Sequence, residues 1–530
     1  MTRTPASVLI TGGTIVDGTG TTPYPGSLLI EQGRIVAVLP ERPTASAEMI
    51  IDAEGLAITP GFIDLHSHAD FTLQGCPAAT SQLHQGVTTL LTGNCGFSPF
   101  PVADRDRLIA ATSFLSSDLD WSWTDLAGFA DVQDRQRPAI NVALQVGHNA
   151  LRLAAMGEAQ RPPTRAELDR MRLLLRSAAE QGAYGFSTGL IYAPGSYADT
   201  AEVRELVAEA GACGLLYSTH VRNEGSRLIE AVDEAIEAAR AGDARLEISH
   251  LKAAGPANHG KVNAALEQIE QARTAGLDVA CDVYPYVASS TTLTTRLPDW
   301  AMDGGIPELL QRIADPEQQH RIVQALRDQA DRQLAPVSVT IASGSDFGTT
   351  LAEAAQRRGV DASAATLALL AENDGAVSVI NNSMDPDDVA VALGYRHSSV
   401  ASDGWIMTGP NDHGWGEGHP HPRNFGTFPR ALGHYRRTEG LFDLAEAVRK
   451  MTSLPASRLQ WSDRGVLRPG AIADVVVLDP DRVADRADFG KPWQLSVGIR
   501  DVLVGGVPVL ADAAPTGARP GRVIRRRQSS

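Results

Sequence analysis

Two histidines one residue apart, His66 and His68, end the apolar run of PGFIDLHSHAD. On a strand that spacing sends both side chains to the same side. Comparable groups close other apolar runs: Cys95 in TGNCGFSP, His148 after AINVALQVG, His220 in YSTHVRNEG, His250 in ISHLKAAG and Asp403 in ASDGW. Imidazole nitrogens with a thiolate suit zinc rather than magnesium or calcium, and three protein ligands plus a water form the open arrangement of a catalytic zinc site. Such a site brings the pKa of water toward neutrality. A carboxylate at Asp403 is placed to take that proton and return it to a leaving nitrogen.

Taken singly, each residue has a plainer reading. A lone strand-end histidine is commonly a hydrogen-bonded structural group, a lone cysteine a small buried hydrophobe, and the Asp of an SDG a turn or cap residue. Independent structural histidines, however, have no reason to gather at one end of successive strands. The joint placement therefore favours a shared site, most strongly for His220 and His250, with His148 a further candidate. Cys76, Cys213 and Cys281 keep the plain reading. Lys252 stands two residues beyond His250 in a chain whose lysines are only Lys252, Lys261, Lys450 and Lys491. Where Arg serves nearly everywhere else, a compact ammonium beside a ligand suggests a grip on a substrate carboxylate. Tyr192, Tyr284 and Ser289 follow later runs and either assist in that grip or pack the rim.

These groups need strands to carry them. Eight short apolar runs (GFIDL, GVTTLLT, AINVALQVG, AYGFST, GLLYST, RLEIS, LDVACDVY and HSSVAS) recur through the middle of the chain. Amphipathic helical segments such as Arg165 to Gln181 and Ser226 to Ala241 lie between many of them. Eight strand–helix units predict a (β/α)8 TIM barrel over 59–464, whose chemistry lies at the C-terminal strand ends. The seventh and eighth runs are too far apart for a normal crossover, which predicts an inserted lid or subdomain over about 285–396. Short β-rich pieces at both ends, 1–58 and 465–530, read as two parts of one small β-sandwich lobe. The closing VIRRRQSS reads as a frayed tail.

A chain of 530 residues exceeds one ordinary core, and 43% hydrophobic with 21% charged residues is a globular balance. With 47 Lys and Arg against 63 Asp and Glu the net charge is −16, which argues against nucleic acid and anionic membranes as partners. The first residues hold no apolar run of signal-peptide length and no segment approaches a membrane span, so the expected location is cytoplasmic. Four cysteines at irregular spacing make no disulfide framework.

As a set, PGFIDLHSHAD, GVTTLLTGNCGFSP, GAYGFSTGLIYAPG, THVRNEG, ISHLKAAG, DVYPY, ASDGW and HPRNFGTFPRALG resemble the N-acyl-D-amino-acid deacylases (D-aminoacylases) of the amidohydrolase superfamily. The resemblance runs over practically the whole chain. It implies that Cys95, His220 and His250 bind a tightly held zinc, that His66 and His68 border a weaker second metal position, and that Asp403 is the acid–base residue. It also implies that Lys252, Tyr192, Tyr284 and Ser289 bind the substrate α-carboxylate. AYGFSTG lacks the lysine that many binuclear relatives carbamylate, so one functional metal is expected. The lead-in ALGYRHSSV before the SDG and the loop Gly404 to Pro422 depart from the pattern. That loop holds two tryptophans and three histidines but no Lys or Arg, which disfavours an acidic side chain on the substrate.

The expected activity is hydrolysis of small N-acyl-D-amino acids to a carboxylate and a free D-amino acid, with a neutral or hydrophobic side chain. The alternatives are a cyclic-amide hydrolase of hydantoinase or dihydroorotase type, against which Lys252 and the missing lysine count, a deaminase on the same barrel, and a non-catalytic scaffold, which would have broken ligands.

Overall fold

A computed structural model describes residues 7–43, 45–115, 119–329, 333–407 and 418–527. The eight apolar runs become eight parallel strands hydrogen-bonded in chain order. These are β1 (Phe62–Asp64), β2 (Val87–Thr92), β3 (Asn141–Gly147), β4 (Gly185–Gly189), β5 (Leu216–His220), β6 (Arg245–Ile248), β7 (Val279–Val283) and β8 (Ser398–Val400). Nearly all their residues are buried, as strands covered on both faces require. The helix Arg165–Glu180 shows how the crossovers form. Thr164 and Glu167 make a reciprocal capping box at its start, and Met171, Leu175, Ala178 and Ala179 bury one face against the barrel.

Closure between β1 and β8 is made at the mouth rather than along the strands. Ser67 and Gly404 form a parallel bridge. Around it the His68 amide donates to the Gly404 carbonyl (2.9 Å) and the Asp403 amide to the His66 carbonyl (2.8 Å). The backbone bonds that finish the barrel thus bring His66, His68 and Asp403 side by side.

Both chain ends build the second sheet, of nine strands. Ala57–Pro60 pairs antiparallel with Val475–Leu478, matching Ile58 to Val477, and on its other edge pairs with Ser7–Ile15. Val8, Ile10, Ile15, Val475, Val477 and Leu503 fill its core. The segment between β7 and β8 contains a three-stranded antiparallel sheet, Ala288–Thr292, Val339–Ile341 and Ser378–Asn382. Helices pack on this sheet around a core of their own that includes Leu293, Leu309, Ile341, Leu351 and Leu370. The last helix of the segment, Pro386–Gly394, instead gives Val389, Ala392 and Leu393 to the barrel core as the crossover into β8.

The tail differs from its sequence reading. Arg522 to Arg526 line the barrel beside β3: Val142 donates to the Arg522 carbonyl (3.0 Å), Ile524 to Val142 (2.7 Å) and Arg526 to Gly182 (2.9 Å). Arg525 and Arg526 look solvated in sequence, but backbone pairing and the Arg525–Asp131 ion pair hold them; 528–530 lie outside the described residues. Among the described residues no helix is long and apolar enough to cross a membrane.

Candidate metal and active site

Cys95 stands where two groups of ligand atoms meet. Its Sγ lies 3.5 Å from His250 Nε2, 3.9 Å from His220 Nδ1 and 3.3 Å from His66 Nε2. Cys95 with His220 and His250 forms one buried set. His66, His68, Cys95 and Asp403 form another, and in each set the ligand atoms lie within 4.8 Å of one another. Across from Cys95, Asp403 Oδ1 is 3.2 Å from His68 Nε2 and 3.4 Å from His66 Nε2. Cys95 (φ 53°), His250 (φ 38°) and Asp403 (φ 50°) all adopt the left-handed backbone that non-glycine residues rarely take. Each lies two or three residues beyond a strand end, in the turn at the barrel mouth, and such conformations cluster at functional sites.

Behind these groups stand carboxylates that the sequence reading did not single out. Asp282 lies 3.3 Å from His66 Nδ1 and accepts from the His250 amide (2.8 Å). Glu224 Oε1 is 3.1 Å from His250 Nδ1 and 2.5 Å from the Lys252 ammonium. Arg423 donates to Asp403 Oδ2 (2.8 Å). The charges respond accordingly. Burial pushes the Cys95 thiol up, but His66 and His250 outweigh it and hold it well below the usual thiol range. Burial opposes charge on His66, yet Asp282, Cys95 and Asp403 carry it well above normal. Burial likewise disfavours the Asp403 carboxylate, and Arg423 with His66 overcomes this and keeps it ionised.

This donor set fits zinc. A buried thiolate and two imidazole nitrogens converge with no carboxylate in the set, which is soft-to-borderline chemistry. His250 turns Nε2 to Cys95 and Nδ1 to Glu224, the carboxylate–imidazole pairing that orients metal-binding histidines. His68 Nδ1 is a buried polar atom with no hydrogen-bond partner. Residues 49–510 match the model of the amidohydrolase family. The chain belongs to that family. It is 38% identical over 519 residues to an N-acyl-D-glutamate deacylase of Alcaligenes xylosoxydans xylosoxydans, covering 98% of this chain and 96% of the relative. It is 36% identical over 526 residues to a D-aminoacylase of the same organism, covering 98% of each. Among solved structures, an N-acyl-D-glutamate deacylase of Bordetella bronchiseptica, complexed with zinc and a phosphonate mimic of the tetrahedral intermediate, superposes with a TM-score of 0.83. It is 38% identical, with 98% of this chain and 99% of that one covered.

Within this amidohydrolase the other expected residues fall into different places. Tyr192 lines the cavity that opens on Cys95, His68 and Asp403. Its hydroxyl meets Thr291 Oγ1 at 3.1 Å and its ring stands edge-on to His220. Lys252 and Tyr284 line a separate small cavity that includes His250. The buried Tyr284 hydroxyl has no partner among the described residues. Ser289 lines none of these cavities, whereas its neighbours Ser290 and Thr291 face the one at Cys95. His148 points away from the metal-type cluster: its Nε2 meets Glu202 at 2.8 Å, and Arg152 completes that buried pair. Residues 408–417 of the tryptophan- and histidine-rich loop, with His413 and Trp415, lie outside the described residues. Glu224 had a legible signal, four residues after His220 in THVRNEG. Asp282 and Arg423 had none, because their partners are distant in sequence.

Proposed function

We propose that this protein hydrolyses the amide bond of N-acyl-D-amino acids, releasing a carboxylate and a free D-amino acid. The observation that carries the reading is Cys95 shared between two ligand sets with Asp403 facing it. The D-handedness rests on the D-specific names of the relatives, which match over nearly their whole length. Cys95, His220 and His250 hold the tightly bound zinc, and His66 and His68 border a weaker second position. Zinc there supplies a Lewis acid for the amide carbonyl and lowers the pKa of a water. Asp403, kept ionised by its neighbours, accepts the proton that the attacking water gives up and delivers it to the departing amine. Arg423 and Tyr192, both lining the cavity, and the unpaired Tyr284 hydroxyl hold the α-carboxylate. Lys252, tied to Glu224, supports that grip through Glu224 and His250.

The side chain favoured is neutral or hydrophobic rather than acidic. In its support, Phe97, Phe114, Leu115 and Trp405 line the cavity, and among the described residues its one Lys or Arg, Arg423, pairs with Asp403 and is already assigned to the α-carboxylate. Metal analysis combined with chiral detection of amino-acid release from N-acetyl-D- and N-acetyl-L-methionine and -glutamate tests the whole reading. Zinc with D-selective release, fastest from methionine, is expected. Zinc with no release from any of the four refutes it.

A further inference from the structure

A second chamber adjoins the site. Phe97, Phe114 and Tyr192 belong both to the cavity at Cys95 and to a neighbouring one that runs between the barrel and the inserted segment. The neighbouring chamber is walled by Ile191, Leu297 and Met302, carries the hydroxyl-bearing Thr292, Thr294 and Thr295, and includes no Lys, Arg or His among its lining residues. Its two charged residues are Glu158 and Asp299, which line this chamber and not the one at Cys95.

Asp299 is engaged, accepting from Ser196 Oγ at 3.3 Å. Glu158 is different. Its side chain is only 9% exposed, it makes no hydrogen bond among the described residues, and its one cationic neighbour, Arg107, stands 4.0 Å away and is itself 44% exposed. The backbone leaves room for the carboxylate: a Cβ on Gly305, which has φ +89°, would fall 2.1 Å from Glu158 Oε1. A buried carboxylate without a donor is a costly arrangement unless something supplies one. Burial, together with the nearby Glu308 and Asp104, carries this group up to about 7 despite Arg107.

We infer that this chamber receives the substrate side chain and that Glu158 selects long side chains ending in an N–H donor, amide or ammonium, over isosteric acids. The inference rests on the deacylase reading and sharpens it. An apolar stem crosses between Phe97, Phe114 and Ile191, and the terminal nitrogen meets Glu158. Where Glu158 is ionised, above about pH 7, a terminal carboxylate of the same length meets a like charge, and no cation lines the chamber to offset it. Glu158 touches the substrate without sharing in proton transfer, so it is a specificity determinant.

The test compares kcat/KM for N-acetyl-D-glutamine, -glutamate, -lysine and -methionine on the zinc-loaded enzyme and on Glu158→Gln. Ratios between substrates on one preparation cancel the fraction of folded enzyme. Glutamine is expected to exceed glutamate by about 100-fold or more, since pockets built for a hydrogen-bonding group discriminate strongly. Glu158→Gln should shrink that ratio at least tenfold. The lysine substrate separates the sources of the donor: a fall in lysine relative to methionine in Glu158→Gln shows an ammonium partner, and a fall confined to glutamine an amide partner. Glutamine-to-glutamate ratios unchanged by the substitution overturn the role of Glu158 while leaving the deacylase reading intact. No release from any N-acetyl-D-amino acid, methionine included, overturns both.

Discussion

Glu224→Gln probes whether the zinc ligands are oriented from behind. With His250 Nε2 turned to Cys95 and bound to the zinc, its Nδ1 would carry the proton and donate to Glu224 Oε1, 3.1 Å away. Lys252 sits 2.7 Å from the same Nδ1 but has no lone pair to offer a protonated ring nitrogen; its partner is Glu224, 2.5 Å away. The carboxylate therefore orients the histidine, and the ammonium neutralises the carboxylate, whose pKa is held well below normal by His220, Lys252 and His250 against the pull of burial. Loss of such an outer partner weakens metal binding by roughly 10–100-fold, or about 1.4–2.7 kcal/mol. Zinc affinity measured by chelator competition should fall by that factor in Glu224→Gln. Lys252→Met should stay within about threefold of the parent, because it removes a cation from beside a bound dication and frees Glu224 for His250. The double variant should resemble Glu224→Gln rather than the sum of the singles, since residues in one network couple. A Lys252→Met loss as large as that of Glu224→Gln, or a Glu224→Gln affinity within threefold of the parent, refutes this assignment.

Asp403→Asn should lose at least about a thousandfold in kcat, in keeping with removal of an acid–base group, while retaining zinc by metal analysis. Near-parental turnover would remove Asp403 from the proton path. His148→Ala should leave zinc content unchanged and lower the unfolding midpoint, because it strips a partner from the buried Glu202–Arg152 pair; loss of zinc would return His148 to the site. Truncation after Gly521 should lower thermal stability with kcat/KM preserved, since the tail pairs with β3 and Gly182 well outside the catalytic groups; an unchanged melting temperature would show that those bonds contribute nothing.

How much of this was legible in the sequence follows from the range of each signal. All eight barrel strands were read because a parallel strand buried on both faces is a continuous apolar run, and their terminal Cys, His and Asp were visible by position alone. The orienting shell was not, since Asp282 and Arg423 are defined by partners across the barrel mouth. The small inserted sheet escaped notice because ASSTT, at Ala288–Thr292, is hydroxyl-rich and half exposed, lacking the alternation that marks a strand. Ser289 lies on the same short strand as Ser290 and Thr291, which line the cavity at Cys95. The arginine-rich tail shows the reverse case, where composition suggested solvent and main-chain hydrogen bonds decided otherwise.

The bridge between Ser67 and Gly404 also sets an order of events during synthesis. Cys95, His220 and His250, the proposed zinc ligands, all precede the last two barrel strands in the chain. Asp403 arrives with the eighth strand, after the whole inserted segment, and is locked in place only when its amide reaches the His66 carbonyl. The proposed metal ligands are thus made before the proposed acid–base residue, whose position depends on the last closure of the barrel.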